Sequence, residues 1–185
     1  GDVFLHFDWI AADIRAFSLM SKDEKLNESF MHSDPYSFMA DCLNVGAAEP
    51  IDRHDAKIAL LSSINALDDA NPVLTFYPGL RAWISQCKTD LEVKKSLSSL
   101  LGRRFEIIDG RTDKSVFNAS VQGSVAHAMQ SCIKRVWDIF PDNILCENHD
   151  SLVLTCCRNE VRDKIAETVR IMVQPFSGIL KNNPQ

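Results

Sequence analysis

The chain has 185 residues, 45% of them hydrophobic and 24% charged, with a net charge of −5. That composition is ordinary for a folded globular protein of one domain, with or without a small lobe. It excludes a surface that is basic throughout, so a nucleic-acid partner would have to be met by a local basic groove on an acidic body. No apolar run approaches the ~20 residues a bilayer crossing needs, and no signal peptide is visible, so no membrane role is expected. The six cysteines, at 42, 87, 132, 146, 156 and 157, form no Cys-x-x-Cys pair and no zinc-finger spacing, and reduced thiols in a cytoplasmic or nucleoid-associated setting are expected. Cys132 and Cys146 stand in apolar contexts and read as small buried hydrophobes.

Residues 3–7 are β-formers, apolar at nearly every position, and read as a central buried strand ended by Asp8. Residues 9–20 switch to helical spacing, with Ile10, Ile14 and Phe17 inward. Ser21-Lys-Asp-Glu24 has the form of a capping box that opens a second helix. Asp34-Pro35 reads as N-cap and first helical residue of a third, running to about Leu43. Asp52 caps a fourth from Arg53 to about Leu67, with Ile58, Leu60, Leu61 and Ile64 as its apolar side. Arg53 and Lys57, four apart, place two cations on one face that Leu61 and Asn65 continue. Such a pair serves either as a solvated stripe or as a clamp for phosphate.

Pro78-Gly79 marks a break or a fresh helical start, followed by the stripe Leu80, Trp83 and Ile84. Residues 96–101 and 105–108 look like a strand pair around Gly102-Arg103-Arg104, a turn able to offer guanidinium groups to phosphate. Asp109-Gly110 is a turn signal. Residues 113–140 form the longest helical pattern, with Val116, Phe117, Val121, Val125, Met129, Cys132, Ile133 and Val136 on one face. Asn118 and Gln122 lie one turn apart beside it, and long amides so placed reach minor-groove acceptors or form an ordinary polar flank. Residues 144–157 read as a hairpin with His149-Asp150 at its tip. Residues 159–173 read as a final amphipathic helix with Val161, Ile165, Val169 and Met172 inward. The order of elements predicts an α+β fold, an antiparallel sheet covered by helices. Asp8 at one strand end and Asp150 at a hairpin tip could then meet at one sheet edge, a suitable site for divalent metals. A two-metal nuclease would need further acids, and Glu147 and Asp13 are their only sequence neighbours.

The ordered set of segments resembles the palm and fingers of family A DNA polymerases, the DNA polymerase I kind. Asp8-Trp-Ile-Ala-Ala-Asp13-Ile-Arg15 is similar to their motif A, and residues 19–30 to the stretch that follows it. Arg53-x-x-x-Lys57 is similar to the start of motif B, Leu101-Gly-Arg-Arg104 and Asn118-x-x-x-Gln122-Gly123 to two primer–template segments, and His149-Asp150 to motif C. The resemblance implies a palm at residues 1–34 and 78–185, with a reduced fingers insertion at 35–77. It implies template-directed DNA synthesis on a primer–template from deoxynucleoside triphosphates. Asp8 and Asp150 would be the catalytic residues and would bind two Mg²⁺ ions, with Mn²⁺ able to substitute. Arg53, Lys57, Asp13 and Leu61 would bind the nucleotide, and Arg103, Arg104, Asn118, Gln122 and His149 would contact the primer–template.

The sequence departs from the family in places. Ser151 stands where motif C has Glu, as in phage-type RNA polymerases. Asp13 replaces Glu, and Tyr36 replaces His. Leu61, Asn65 and Ala66 replace the aromatic and Tyr-Gly of motif B, removing a stacking platform for the incoming base. The thumb is missing, so a fragment or minimal form, completed by a longer parent or a partner chain, is expected. The alternative is a non-catalytic, polymerase-like nucleic-acid-binding or scaffold module.

Overall fold

The computed structural model describes residues 2–32, 34–47, 49–108 and 110–176. In chain order the elements are β1 (Asp2–Asp8), α1 (Ala12–Ser21), α2 (Glu24–His32), α3 (Pro35–Leu43), α4 (Arg53–Asn65), α5 (Pro78–Lys94), β2 (Ser96–Ser98), β3 (Arg104–Glu106), α6 (Asp113–Ile139), β4 (Ile144–Asn148), β5 (Ser151–Cys157) and α7 (Val161–Met172), with short 3-10 turns at Pro72–Phe76, Arg158–Glu160 and Gln174–Phe176. The α+β class holds. The chain divides into two compact units, residues 1–12 with 123–185, and residues 13–122.

The first unit is built on a three-stranded antiparallel sheet in the order β1-β5-β4. β5, not β1, is the central strand. Buried Leu5 pairs with buried Leu154 on one face, while Phe4 on the other face is 70% exposed. A run of apolar residues thus marks a strand buried on one side only, because alternate side chains leave the sheet in opposite directions. α7 packs on β1 and β5. Its expected inward face is corrected: Ile165 and Val169 are exposed, Val161 is half-buried, and the buried positions are Lys164, Thr168, Ile171 and Met172. Lys164 tolerates burial because its ammonium reaches Asn143 Oδ1 and Glu160 and sits 4.8 Å from the Phe140 ring. A long stem with a satisfied head buries well, and hydropathy spacing does not register it. Cys146, expected buried, is exposed on the edge strand β4, next to a register shift between Ile144 and Cys146.

The second unit is mostly helical. α1 starts at Ala12 rather than near Trp9, because Ala11 takes a left-handed φ of 54° and turns the chain; Ile10, expected inward, is 63% exposed. The cap of α2 is Asp23, not Ser21. Its buried carboxylate accepts from Leu26 N–H at 2.8 Å and from Leu80 N–H at 2.9 Å, serving the first turns of α2 and α5 together. Gly79 is needed there, since a Cβ would lie 2.9 Å from both Asp23 Cα and Oδ2. Asp34 caps α3 through Tyr36 and Ser37 N–H with Pro35 in the first turn, and Asp52 caps α4 through Asp55 N–H, as the sequence predicts. In α4, Ile58 is 53% exposed, while Ala56 and Ser63 join Leu60 and Ile64 inside.

Pro78 is a fresh start: α5 buries Leu80, Ile84, Cys87 and Leu91 and ends where Lys95 becomes left-handed. β2 and β3 form a ribbon shorter than expected, with Leu97 opposite Phe105. Phe117, early in α6, lies 6.2 Å from Phe17 and 5.4 Å from Trp83. α6 keeps the predicted apolar face across its 27 residues. Asp109 of the expected turn lies outside the described residues.

Candidate active site

The β1–β5 register sets Asp8 opposite Ser151, the residue that follows Asp150. Trp9 N–H donates to the Asp150 carbonyl at 3.2 Å, continuing the ladder past the strand ends. The two carboxylates therefore stand at the same end of one sheet. Trp9 fixes that end: its indole N–H donates to the Met172 carbonyl at 2.9 Å, and its ring meets Phe176 edge-on at 4.9 Å. A cleft of about 300 Å³, lined by Phe7, Asp8, Trp9, Val169 and Met172 among others, opens beside Asp8.

The β4–β5 hairpin closes through a two-residue loop, since Asn148 pairs with Ser151. His149 takes φ 54° there, a left-handed position that glycine fills more easily. Ser151 is buried, and its hydroxyl donates to the Asn148 carbonyl across the loop. Ser151, the residue that follows Asp150, is thus a turn staple.

Asp8 is exposed and Asp150 half-buried, and neither is in an ion pair among the described residues. Two carboxylates unneutralised by protein cations are hard oxygen donors that suit Mg²⁺ or Mn²⁺. No cluster of three or more His, Cys, Asp or Glu side chains that could hold a metal is found among the described residues. A complete protein cage, as a structural metal would require, is not found among the described residues.

Three nucleotide-site candidates gather in the second unit, around Tyr36, a residue the sequence marked only as a departure. The Arg53 guanidinium lies 5.3 Å and the Lys57 ammonium 5.8 Å from its ring centre. Burial, and next the charge of Asp13, push the Tyr36 phenol up to about 12, so it stays a neutral hydrogen-bonding group. Arg53 is committed elsewhere: its Nε donates to Asp34 at 3.1 Å. Lys57 is in no ion pair among the described residues. Leu61, one turn on, is half-buried.

Of the two turn arginines, Arg104 donates to Ser96 Oγ and pairs with Glu106 at 2.9 Å, while Arg103 lies 5.2 Å from the Phe105 ring. Asn118 is half-buried with its Oδ1 unpartnered among the described residues, and Gln122 one turn later is exposed. An orphaned buried acceptor at a predicted contact position is a polar group ready for a donor.

No protein-family model and no curated protein matches the chain. Among solved structures it is similar to the POL domain of Pol1 from M. smegmatis, in complex with DNA primer-template and dNTP, with a TM-score of 0.75 at 17% identity. The match covers 97% of this chain and 37% of that one, so the chain spans a little over a third of the neighbour's length. The chain has the fold of a polymerase domain.

Proposed function

We propose that this chain carries the metal centre of a template-directed nucleotidyl transferase. It would act on a DNA primer–template and deoxynucleoside triphosphates, as a fragment or minimal form of a family A enzyme. The observation that carries the reading is the β1–β5 register, which delivers Asp8 and Asp150 to one end of a sheet in a polymerase-domain fold. Two bound Mg²⁺ ions would supply activation of the primer hydroxyl and neutralisation of the triphosphate. Asp8 and Asp150 hold that charge in place, while Trp9 and the Ser151 staple keep both strand ends rigid. In the second unit, Lys57 offers its cation to nucleotide phosphates, and Arg53 contributes less because Asp34 already neutralises it. Asn118, Gln122, His149, Arg103 and Arg104 serve the primer–template.

The test is extension of a labelled primer with Mg²⁺ and then Mn²⁺, with deoxy- and ribonucleotides offered separately. Extension lost in both Asp8→Asn and Asp150→Asn supports the reading; extension that survives in either variant contradicts it. Two observations favour a second reading, a non-catalytic nucleic-acid-binding or scaffold module. Arg53 is engaged by Asp34, and an aliphatic residue, Leu61, stands at the family's aromatic position. That reading predicts neither extension nor metal binding.

A further inference from the structure

A second concavity, of about 320 Å³, lies wholly within the unit of residues 13–122 and is lined by Arg103, Arg104, Phe105, Glu106, Ile108 and Arg111 among others. Its charge is lopsided, three arginines against one glutamate, and that glutamate is occupied by Arg104 at 2.9 Å. Arg103 and Arg111 are in no ion pair among the described residues. Their charges are left for an anionic ligand. The remaining lining is apolar: Phe105 is half-buried, with the Arg103 guanidinium 5.2 Å from its ring centre, and Ile108 is 50% exposed. Leu101, in the adjoining turn, is 66% exposed.

Cations alone would suit any polyanion. Cations interleaved with an accessible aromatic ring suit one whose repeating unit carries both a phosphate and a flat π face. We infer that this groove binds single-stranded nucleic acid, with Arg103 and Arg111 on consecutive phosphates and Phe105 against an unpaired base. The inference rests on the polymerase reading only in naming nucleic acid as the partner. It extends the site past the Gly-Arg-Arg turn to Arg111 and Phe105. Bases inside a duplex are stacked on one another and offer no free face to Phe105, which favours one strand.

The test is fluorescence anisotropy with a labelled thymidine oligonucleotide and a hairpin duplex, across a salt series, with chelator present. Arg111→Ala is expected to weaken single-strand binding and to flatten the plot of log affinity against log salt by about 0.7; Arg111→Lys restores the slope. Phe105→Ala is expected to weaken single-strand binding on the order of tenfold with the slope unchanged, and Phe105→Trp to retain it. Wild-type single-strand affinity and slope in Arg111→Ala, an exposed position whose change leaves the fold intact, would overturn the inference. So would a duplex bound as tightly as the single strand and equally sensitive to Arg111→Ala. Because chelator removes metal, a failed carboxylate pair leaves this result untouched. A failed groove leaves metal binding at Asp8 and Asp150 to be judged separately.

Discussion

At the scale of single residues, the site depends on side chains that contribute little to the fold. Asp8 is exposed, so Asp8→Asn should alter stability by no more than about 0.5 kcal/mol while lowering extension by at least about 100-fold. Thermal melts and single-turnover assays on the same preparation would show the two effects apart. His149 holds a left-handed backbone at the hairpin tip. His149→Gly should therefore leave stability unchanged or raise it by up to about 1 kcal/mol, with the melting temperature unchanged or higher, while primer–template affinity falls. A lower melting temperature would mean that the imidazole supports the turn.

Asp34 gives a pH-dependent contribution with a definite sign. Partial burial would raise its pKa, but hydrogen bonds from the Ser37 hydroxyl, the Arg53 guanidinium and the Ser37 and Tyr36 N–H groups outweigh it and hold the carboxyl below the usual range. A group depressed in the folded state stabilises above its unfolded pKa, near 3.9, and loses that contribution as pH falls through the folded value. Asp34→Ala should cost about 1 kcal/mol at neutral pH. Its melting temperature should converge on that of the unsubstituted protein as the pH drops below about 4; a constant gap would rule out the carboxylate as the cause.

At the scale of elements, legibility followed the range of the interactions. Caps made within three residues, such as Asp34 on α3 and Asp52 on α4, could be read directly. So could the α6 face and the β4–β5 hairpin, because both are periodic and local. Asp23 could not, since half of its role is a hydrogen bond to Leu80, 57 residues away. The α7 face was misread because Lys164 finds its partners in Asn143 and Phe140, outside its own helix. β1 was misplaced as central because strand order depends on β5, which follows much later in the chain. The strand end at Asp8 and the hairpin tip at Asp150 were legible, because each ends or joins a strand. Tyr36 and Arg111 were not, because only the folded chain shows what lies beside them.

Three substitutions test this account of the elements. Gly79→Ala should cost about 1–3 kcal/mol, because the added Cβ meets Asp23 backbone. On α7, Ile171→Ala should cost about 2–5 kcal/mol and Ile165→Ala well under 1. Denaturant unfolding of the pair would decide which face of α7 is inward, and the opposite order would restore the face that hydropathy spacing suggested.

At the scale of the whole molecule, an acidic chain of net charge −5 would have to bind a polyanion through few cations. In the groove proposed above, Arg103 and Arg111 supply two phosphate contacts, which imply a salt slope of about −1.4 for single-stranded nucleic acid. Binding should accordingly be weak and easily reversed by salt, and a much steeper slope would show that other basic residues carry the contact.

The central claim is that the β1–β5 register builds a metal centre from Asp8 and Asp150. The most direct measurement is Mn²⁺ titration followed by electron paramagnetic resonance, with a deoxynucleoside triphosphate present and the nucleotide-alone signal subtracted. The account predicts protein-dependent Mn²⁺ uptake that is lost in Asp8→Asn and in Asp150→Asn, while both variants keep the melting temperature of the unsubstituted chain. Uptake that is absent from the start, or that persists in either variant, would contradict it.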